Sequence, residues 1–363
     1  MRKILFVVVS LELGGTENYL LRFLEFIKDK NIEPVVLCKR GVTGSLEKKY
    51  SELGIRLVKM KVNNLPSISW MKFYCFLQEE RFDVISDFTG NFAGITLFIS
   101  KWIGVEKRIV FYRKSTNLFK EDKFRLYYNS LLCKLLFYSS TKILSNSDEA
   151  LNFFYPEKIN TENNKFIVIR NGLELAKFNN TRNTEQLRKS LNIPSEAFLI
   201  GHIGRYHPHK NHEAVVNVAN NILNKHHNVY FLIIGRGVKE GLSNVKLHDR
   251  IILSDERSDI PDILRIMDAF YFPSIAEGQP NALIEAMVSG LPFVASDIGT
   301  VKESIPERYY KYLVPVDDIH KAEICLTEFI QKNSKSLFFE AQQFALSKYN
   351  SEDRFLDFYN ELK

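Results

Sequence analysis

Short runs of apolar residues alternate along the chain with longer stretches whose apolar positions recur at helical spacing. In the first half these runs predict six buried strands, at residues 4–10, 34–38, 84–86, 108–111, 142–145 and 166–169. The second half predicts six more, at residues 198–203, 229–234, 251–253, 269–272, 292–295 and 312–314. Apolar strands that alternate with helices are typical of parallel sheets built from βαβ units.

A polar stretch rich in asparagine, with Pro194 near its end, separates the two groups of strands, and such a composition is typical of a linker. We therefore predict an α/β protein with a first Rossmann-like domain at residues 1–172, a linker at 173–196 and a second Rossmann-like domain at 197–345. Ligands of such sheets bind at the carboxyl ends of the strands, so we expect the site in a cleft where the two domains face each other.

The composition is that of an ordinary globular protein, with 45% apolar and 25% charged residues in a chain of 363. That length allows two domains with separate cores. The four cysteines are scattered without metal-binding spacing, which indicates a reducing compartment. The apolar run at the N-terminus is followed at once by Gly14-Gly15 and predicts a strand, not a signal peptide. The best membrane candidate, residues 95–105, contains Lys101 and is too short to span a bilayer.

The charge of the chain is unevenly distributed. Residues 1–185 contain 29 Lys and Arg against 20 Asp and Glu, a net charge of +9, whereas the whole chain carries +6. The basic first half indicates an anionic surface or substrate, such as phospholipid headgroups or a pyrophosphate-linked acceptor. Nucleic acid is not expected, because no recognition module for it is present.

The most informative stretch, residues 274–297, places Glu277 and Glu285 on either side of a Gly-Gln-Pro-Asn turn. The turn opens a helix, so Glu277 is left in a loop and Glu285 projects from the first helical turns. Backbone N–H groups at a helix start lack intrahelical partners and form an anion site, and here they belong to Gly278, Asn281 and Ala282. Two carboxylates beside an anion site suit a ligand with both hydroxyls and phosphates, such as a nucleotide sugar.

This stretch resembles the E-x7-E donor site of the retaining family 4 glycosyltransferases, the group 1 type, which have the two-domain GT-B fold. The resemblance implies that Glu285 holds the ribose hydroxyls and that Glu277 lies nearest the reacting centre. It also implies that the loop amides, including that of Gln279, face the donor diphosphate. The alternative is an ordinary amphipathic helix ended by Gly290, which leaves Glu277 and the turn unexplained.

A second motif closes the first strand of the second domain, where Gly204-Arg205 is followed by Lys210-Asn211. A glycine at a strand end lets the backbone approach a ligand, and an arginine with a lysine can neutralise a diphosphate. The motif matches the family's G-R-x4-K-N pattern, which implies that Arg205 and Lys210 bind the diphosphate and stabilise the leaving group. A solvated basic loop is the alternative.

Three histidines lie in or beside the same loop, namely His207, His209 and His212. No carboxylate or cysteine joins them, and Lys210 among them would repel a cation. The family needs no metal for its chemistry, so we expect neither a metal nor a cofactor.

Further positions match the family less strongly. The segment around Arg257 corresponds to the base pocket, although Asp255 stands where a glycine is usual. The G-G-x-E loop that contains Gly15 matches a loop whose amides face donor or acceptor phosphates, with a plain tight turn as the alternative. Asn171-Gly172 fits the hinge region.

The chain departs from the family at two places in the first domain. Ser86-Asp87 stands where family members carry a histidine that contacts the transferred sugar, and we expect Asp87 or Asn91 to fill that place. Arg113 and its neighbours likewise follow a strand after which a histidine is frequent. These changes concern the identity of the sugar and whether the protein is active.

Residues 119–140 mix lysines and arginines with aromatic and leucine residues. Such a helix can lie in a membrane interface or can pack as a core helix, and the sequence leaves both readings open. Our hypothesis is that the first domain docks on the inner leaflet of the cell membrane to reach a lipid-linked acceptor.

The resemblance covers nearly the whole chain and is closest to members that build capsules and exopolysaccharides. It implies a cytoplasmic enzyme, peripheral at the membrane, that transfers a sugar with retention from a nucleotide donor, expected to be UDP-linked, to a growing lipid-linked glycan. In the GT-B fold a terminal helix, here residues 346–363, crosses back to the first domain. The alternative is a catalytically inactive nucleotide-sugar-binding module, which the missing histidine favours. The sequence gives less support to an epimerase or to a dehydrogenase.

Overall fold

The computed structural model describes residues 1–65, 67–113, 122–159, 164–179, 183–332 and 334–363. These residues form two compact units, namely Met1–Asn171 with Glu352–Lys363, and Gly172–Ser351. Each unit contains a parallel sheet of its own. Lys114 and the start of the predicted helix at 119–140, residues 119–121, lie outside the described residues.

The first unit has a seven-stranded sheet in the order β3-β2-β1-β4-β5-β6-β7. Its strands are β1 (Arg2–Val8), β2 (Ile32–Cys38), β3 (Arg56–Lys59), β4 (Val84–Asp87), β5 (Lys107–Tyr112), β6 (Lys142–Ser145) and β7 (Phe166–Val168). Its helices before the second unit are α1 (Gly15–Phe26), α2 (Glu47–Glu52), α3 (Ile68–Glu80), α4 (Ala93–Ile103), α5 (Lys123–Ser139) and α6 (Asp148–Phe154). Successive residues of β1 pack into different apolar clusters, Phe6 in one and Val7 in the other, so both faces of the sheet are covered.

The second unit has a six-stranded sheet in the order β10-β9-β8-β11-β12-β13. Its strands are β8 (Phe198–Ile203), β9 (Val229–Ile234), β10 (Ile251–Ser254), β11 (Ala269–Phe272), β12 (Phe293–Ser296) and β13 (Leu313–Val314). Its helices are α7 (Thr184–Ser190), α8 (His212–Lys225), α9 (Val238–Gly241), α10 (Ile260–Ile266), α11 (Asn281–Val288), α12 (Gly299–Lys302), α13 (Ile319–Gln331) and α14 (Phe339–Lys348). All strand pairs in both units are parallel, as the apolar runs predict.

Two local predictions differ from the structure. The apolar runs do not reveal β3, because this four-residue edge strand exposes Arg56 and Lys59 and only half buries the two residues between them. The linker prediction is wrong for most of residues 173–196, which group with the second unit and contain α7. Arg188 of α7 donates to the Ile266 carbonyl at 2.6 Å and pairs with Asp268 at 2.9 Å, so a long-range contact fixes this polar segment.

The C-terminal segment is divided between the two units. α14 ends at Lys348 and belongs to the second unit, whereas α15 (Ser351–Leu362) packs on the first through residues 352–362. Its Phe358 is fully buried, with its ring centroid 4.5 Å from that of Phe23 and 5.1 Å from that of Phe111. The chain therefore completes the core of its first unit with its last helix.

Replacing Phe358 with alanine is expected to destabilise the first unit by about 3–5 kcal/mol, the usual cost of removing a buried phenylalanine ring. The measurement is hydrogen-exchange protection of β1 and β5 in the full-length chain. Leu356→Ala is the matched control, because Leu356 lies half exposed on the same helix. Equal loss of protection in the two variants would contradict the packing of α15.

Among the described helices, none combines the length and the apolar character needed to cross a bilayer.

Candidate functional site

Two loops of the second unit meet at the carboxyl edge of its sheet. One follows β8 and contains Gly204, Arg205 and Lys210, and the other follows β11 and contains Glu277. β8 and β11 are neighbours in the sheet, so their carboxyl ends lie side by side. The Ile275 N–H donates to the His209 carbonyl at 2.8 Å and joins the two loops directly. The sheet order therefore brings the two sequence motifs into one site.

The centre of this site is an ion pair between Lys210 and Glu277. The Lys210 ammonium donates to Glu277 Oε1 at 2.5 Å, and its Nζ lies 5.5 Å from the centroid of the Phe272 ring. Both side chains are largely buried, with 21% and 11% of their surface exposed. The ion pair therefore joins Lys210, which is predicted to bind the diphosphate, to Glu277, which is predicted to lie nearest the reacting centre.

The loop that carries Lys210 has a fixed shape. A short 3-10 helix, Pro208–Lys210, is followed by Asn211 in a left-handed conformation with φ of 54°. The Asn211 side chain donates to the Val316 carbonyl at 3.1 Å. Asparagine is one of the few residues that tolerate this conformation, so Asn211 can turn the chain directly into α8.

Arg205 is exposed, and its guanidinium makes no hydrogen bond or ion pair with the described part of the chain. An arginine fork that is not committed to a carboxylate can bind a phosphate through two parallel hydrogen bonds. Lys210 and Arg205 thus offer two cations of different kinds, one held by Glu277 and one open to solvent.

Close backbone packing beneath the loop requires glycine at position 235 and leaves little room for a side chain at position 204. A Cβ on Gly235 would lie 1.9 Å from the Gly204 carbonyl oxygen and 2.8 Å from the Arg205 nitrogen. A Cβ on Gly204 would lie 3.2 Å from Lys210 Cδ. The backbone of Gly235, directly after β9, therefore packs against the Gly204–Arg205 peptide, and any larger residue at position 235 would clash with that peptide.

The start of α11 offers fewer free donors than the sequence predicts. The N–H of Asn281 donates to the Gln279 carbonyl at 2.9 Å, so its assignment as a free anion donor is wrong. Within the described residues the N–H groups of Gly278 and Ala282 have no such backbone partner. Gln279 is buried, and its side chain donates to Asn281 Oδ1 at 3.2 Å, which closes the turn before the helix.

α11 packs as an ordinary amphipathic helix and also leaves its predicted ribose ligand accessible. Leu283, Ile284 and Met287 are buried on its inner face, and Gly290 with φ of +72° follows its end, as in an ordinary amphipathic helix. Glu285, its fifth residue, remains partly exposed. Packing of the helix and presentation of Glu285 are thus compatible.

Arg257 is held by an internal partner. Its Nε and Nη2 donate to the two carboxylate oxygens of Asp259 at 2.8 and 2.7 Å, and this pairing raises the pKa of Arg257. The guanidinium is thus committed locally, so a ligand at this loop would meet its backbone in preference to the arginine fork. The Gly235 N–H donates to the Ser254 carbonyl at 3.1 Å and links this loop to the end of β9.

In the first unit, Gly15 and Asn171 occupy different environments. Gly15 is the first residue of α1 and is exposed, with open space where a Cβ would stand. The Asn18 N–H donates to the Gly14 carbonyl at 3.0 Å and starts the helix. Asn171 is buried at the end of the unit.

The structure does not support Asp87 as a sugar ligand. Asp87 is completely buried, its Oδ1 accepts the Thr89 N–H at 2.7 Å, and its Oδ2 accepts the Thr96 hydroxyl. Asn91 is also buried and accepts the Tyr112 hydroxyl at 2.5 Å. Both side chains therefore shape the turn after β4, and the prediction that one of them replaces the histidine is corrected.

Arg113 directly follows β5, and the sequence alone did not assign it to a site. Its guanidinium lies 3.7 Å from the centroid of the Tyr19 ring, and burial lowers the pKa of Arg113 to about 10. Burial also raises the pKa of Tyr19 to about 12. The Nη1 atom of Arg113 is buried and has no hydrogen-bond partner in the part of the chain that the structure describes. A basic residue directly after an apolar strand is the sequence signal for it.

Metal ligation is not suggested by the described residues, which contain no group of three His, Cys, Asp or Glu side chains arranged around a common point. Of the three histidines near Lys210, His207 and His209 stack edge to face at 4.9 Å, whereas His212 is buried against the Gly204 carbonyl at 3.2 Å. The expectation that the chemistry needs no metal stays a prediction.

Comparison with known proteins shows what the whole chain resembles. Residues 197–331 match the family model described as glycosyl transferases group 1. A UDP-Gal:alpha-D-GlcNAc-diphosphoundecaprenol alpha-1,3-galactosyltransferase of Escherichia coli is 26% identical over 329 residues, covering 85% of this chain and 82% of that protein. The capsular polysaccharide biosynthesis glycosyltransferase CapH of Staphylococcus aureus is 26% identical, over 86% of this chain and 85% of its own length.

Solved structures with the same fold cover the whole chain. Anabaena Alr3699/HepE in complex with UDP and glucose superposes with a TM-score of 0.78 at 17% identity, over 100% of this chain and 99% of that one. A glycosyltransferase from Rickettsia africae gives a TM-score of 0.81 at 20% identity, over 99% and 98%. The chain is therefore a glycosyltransferase of GT-B fold, with a glycosyl transferases group 1 domain at residues 197–331.

Proposed function

We propose that this protein transfers a sugar, with retention of configuration, from a UDP-sugar to a growing lipid-linked glycan in surface polysaccharide biosynthesis. The observation that carries the proposal is the 2.5 Å contact of Lys210 with Glu277 beside the uncommitted Arg205. It joins the two motifs at one point, where a diphosphate and the sugar attached to it can be held together. The name of the Escherichia coli relative supports a lipid-linked acceptor, and that of the Staphylococcus aureus relative supports a role in surface polysaccharide biosynthesis.

In this proposal the chain works by positioning and by stabilising the leaving group. Glu285 holds the ribose hydroxyls, while Arg205, Lys210 and the amides of Gly278 and Ala282 hold the diphosphate. Cleavage of the sugar–phosphate bond transfers negative charge to the departing diphosphate, so fixed donors at that point lower the barrier. Glu277, which pairs with Lys210, lies beside the transferred sugar. No metal is assigned a role.

The experiment that tests the proposal is a panel of nucleotide sugars, scored for thermal stabilisation and for slow release of nucleoside diphosphate. One UDP-sugar is expected both to stabilise the protein and to be hydrolysed. If no nucleotide sugar stabilises the protein, the proposal fails.

A second candidate function is a nucleotide-sugar-binding module without transferase activity. The burial of Asp87 and Asn91 favours it, because neither side chain is presented in place of the family's histidine. This candidate predicts stabilisation by a nucleotide sugar with no release of diphosphate, even when lipid-linked acceptors are supplied.

The acceptor side of the proposal rests on α5. Only Leu132, Leu136 and Ser139 of this helix are buried. The helix packs closely on α4, where a Cβ on Gly94 would lie 2.9 Å from the Leu132 carbonyl oxygen. Three aromatic residues of the helix are exposed, Phe124 by 79%, Tyr127 by 67% and Tyr138 by 66%, whereas Tyr128 and Phe137 pack partly buried against the core. Lysine and arginine residues share this helix. We propose that this face, α5 with its exposed aromatic and basic residues, contacts anionic lipid.

Flotation with anionic liposomes at low salt is expected to carry the full-length protein upward, and a Phe124→Ser, Tyr127→Ser double variant is expected to float several-fold less. Aromatic rings and nearby cations act together at a membrane interface, so added salt should also weaken binding. Phe339→Ser is the matched control, because Phe339 is an exposed ring of the second unit. If the wild-type protein does not float with the liposomes, the proposed membrane contact is wrong.

A further inference from the structure

Two buried histidines lie directly beneath the loop that carries Arg205. His202, at the end of β8, is completely buried, and its Nδ1 lies 3.0 Å from the Tyr271 carbonyl oxygen. His212, the first residue of α8, is also buried, and its Nε2 lies 3.2 Å from the Gly204 carbonyl oxygen. Their ring centroids are 5.0 Å apart in an edge-to-face arrangement. Neither histidine belongs to the motifs that suggested the donor site.

The hydrogen-bond partners define the protonation of both rings. A carbonyl oxygen can only accept, so His202 must carry its proton on Nδ1 and His212 must carry its proton on Nε2. Burial and the neighbouring His212 lower the pKa of His202 to about 3, and burial lowers the pKa of His212 as well. Both rings are therefore neutral near pH 7. Their other nitrogens have no hydrogen-bond partner among the described residues.

The contact from His212 fixes the direction of one peptide group. In a trans peptide the C=O and the following N–H point in opposite directions. Because the Gly204 carbonyl is held by His212, the Arg205 N–H must point away from that ring. Gly235 supports the same peptide from its face, since a Cβ there would lie 1.9 Å from the Gly204 oxygen.

The neighbouring amides show where the Arg205 N–H is directed. The Gly204 N–H donates to the Ile234 carbonyl at 2.8 Å, and the Tyr206 N–H donates to the Arg236 carbonyl at 2.9 Å, so both point toward the end of β9. In an extended chain successive N–H groups alternate sides. The Arg205 N–H therefore points to the opposite side of β8, the side of β11, whose loop carries Glu277. No partner for this N–H is found in the described part of the chain.

We propose that His212 is a positioning residue that aims the Arg205 backbone N–H at the donor diphosphate, as a further donor in addition to the Arg205 guanidinium, the Lys210 ammonium and the amides at the start of α11. The inference rests on the proposed function, because it assumes that a diphosphate occupies this loop. A backbone donor held in advance needs no rearrangement when charge develops on the leaving group. His202 supports the His212 ring from the core side.

The first test follows the Arg205 amide itself. In full-length protein labelled with nitrogen-15 on arginine only, the Arg205 resonance is assigned by its loss in Arg205→Lys. Inorganic pyrophosphate is expected to shift this resonance in the wild type and in His212→Gln, whose side-chain amide can replace the Nε2 donor. The shift is expected to disappear in His212→Phe, which fills the space but donates nothing.

The second test measures turnover of the donor. His212→Phe is expected to lower kcat about 10- to 100-fold with little change in KM, since the donor acts mainly on charge that develops in the transition state. His212→Gln is expected to recover most of this loss, which a merely structural role would not predict. Glu213→Ala, on the exposed side of the same helical turn, is the matched control.

The outcomes separate this inference from the function on which it rests. A wild type that binds pyrophosphate or UDP without any response of the Arg205 amide overturns the inference alone. A shift that persists unchanged in His212→Phe also overturns it. A wild type that binds neither pyrophosphate nor any nucleoside diphosphate overturns the inference together with the proposed function.

Discussion

Replacing Lys210 with alanine is expected to lower kcat about 100- to 1000-fold, the usual loss when a fixed donor to a developing charge is removed. Lys210 is the cation that the structure holds at the meeting point of the two loops, 2.5 Å from Glu277. When a diphosphate enters, the ammonium can donate to phosphate oxygens in addition to the carboxylate, because it carries three N–H groups. Its contribution then grows as the leaving group gains charge.

Steady-state kinetics with the donor found in the nucleotide-sugar panel measure this loss. Lys210→Arg is expected to recover only part of it, since a planar guanidinium cannot occupy the site of a compact ammonium in the same geometry. Lys239→Ala is the matched control, because Lys239 is an exposed lysine of the same unit that pairs with Asp255 at 3.8 Å. A Lys210→Ala enzyme with kcat within threefold of the wild type would contradict the assigned role.

The second large effect distinguishes the two glutamates. Glu285→Ala is expected to weaken binding of nucleoside diphosphate about 10- to 100-fold, because hydrogen bonds to a charged carboxylate contribute about 1.5–3 kcal/mol. Glu277→Ala is expected to lower kcat about 100-fold and to leave that affinity within about threefold, since the proposed function places Glu277 beside the transferred sugar and not beside the nucleoside. Calorimetric titration and kinetics on the same samples measure the two quantities.

Two controls make the comparison of the glutamates specific. Glu213→Ala removes an exposed glutamate of the same unit and should change neither quantity. Thermal unfolding of all variants checks that α11, whose inner face is buried, keeps its packing. Equal effects of Glu285→Ala and Glu277→Ala on binding alone would contradict their separate roles.

Much of the fold can be predicted from local patterns. Twelve of the strands follow from apolar runs, because a strand buried on both faces must be apolar along its length. The edge strand β3 does not follow, since only its two central residues are partly buried. α7 escapes prediction for a related reason: its sequence is polar, and its place depends on the contacts of Arg188 with the end of α10.

Part of the candidate site can likewise be predicted from the sequence, and part of it cannot. The Gly204–Asn211 loop and the start of α11 can be found from the sequence because each is a short local motif. The hydrogen bonds of those residues cannot, and two predictions failed on that account. The Asn281 N–H is taken by the Gln279 carbonyl, and Asp87 is enclosed by Thr89 and Thr96.

The sequence by itself determined the fold class, the positions of most strands and the motifs from which a nucleotide-sugar site is predicted, since periodicity and short motifs are local properties. Only the tertiary structure decided which of these residues meet. Lys210 and Glu277 are 67 positions apart and come together because β8 is paired with β11, although β9 and β10 lie between them in the chain. The role inferred for His212 depends on the same packing, because sheet order and burial are set by the whole chain and leave no local pattern.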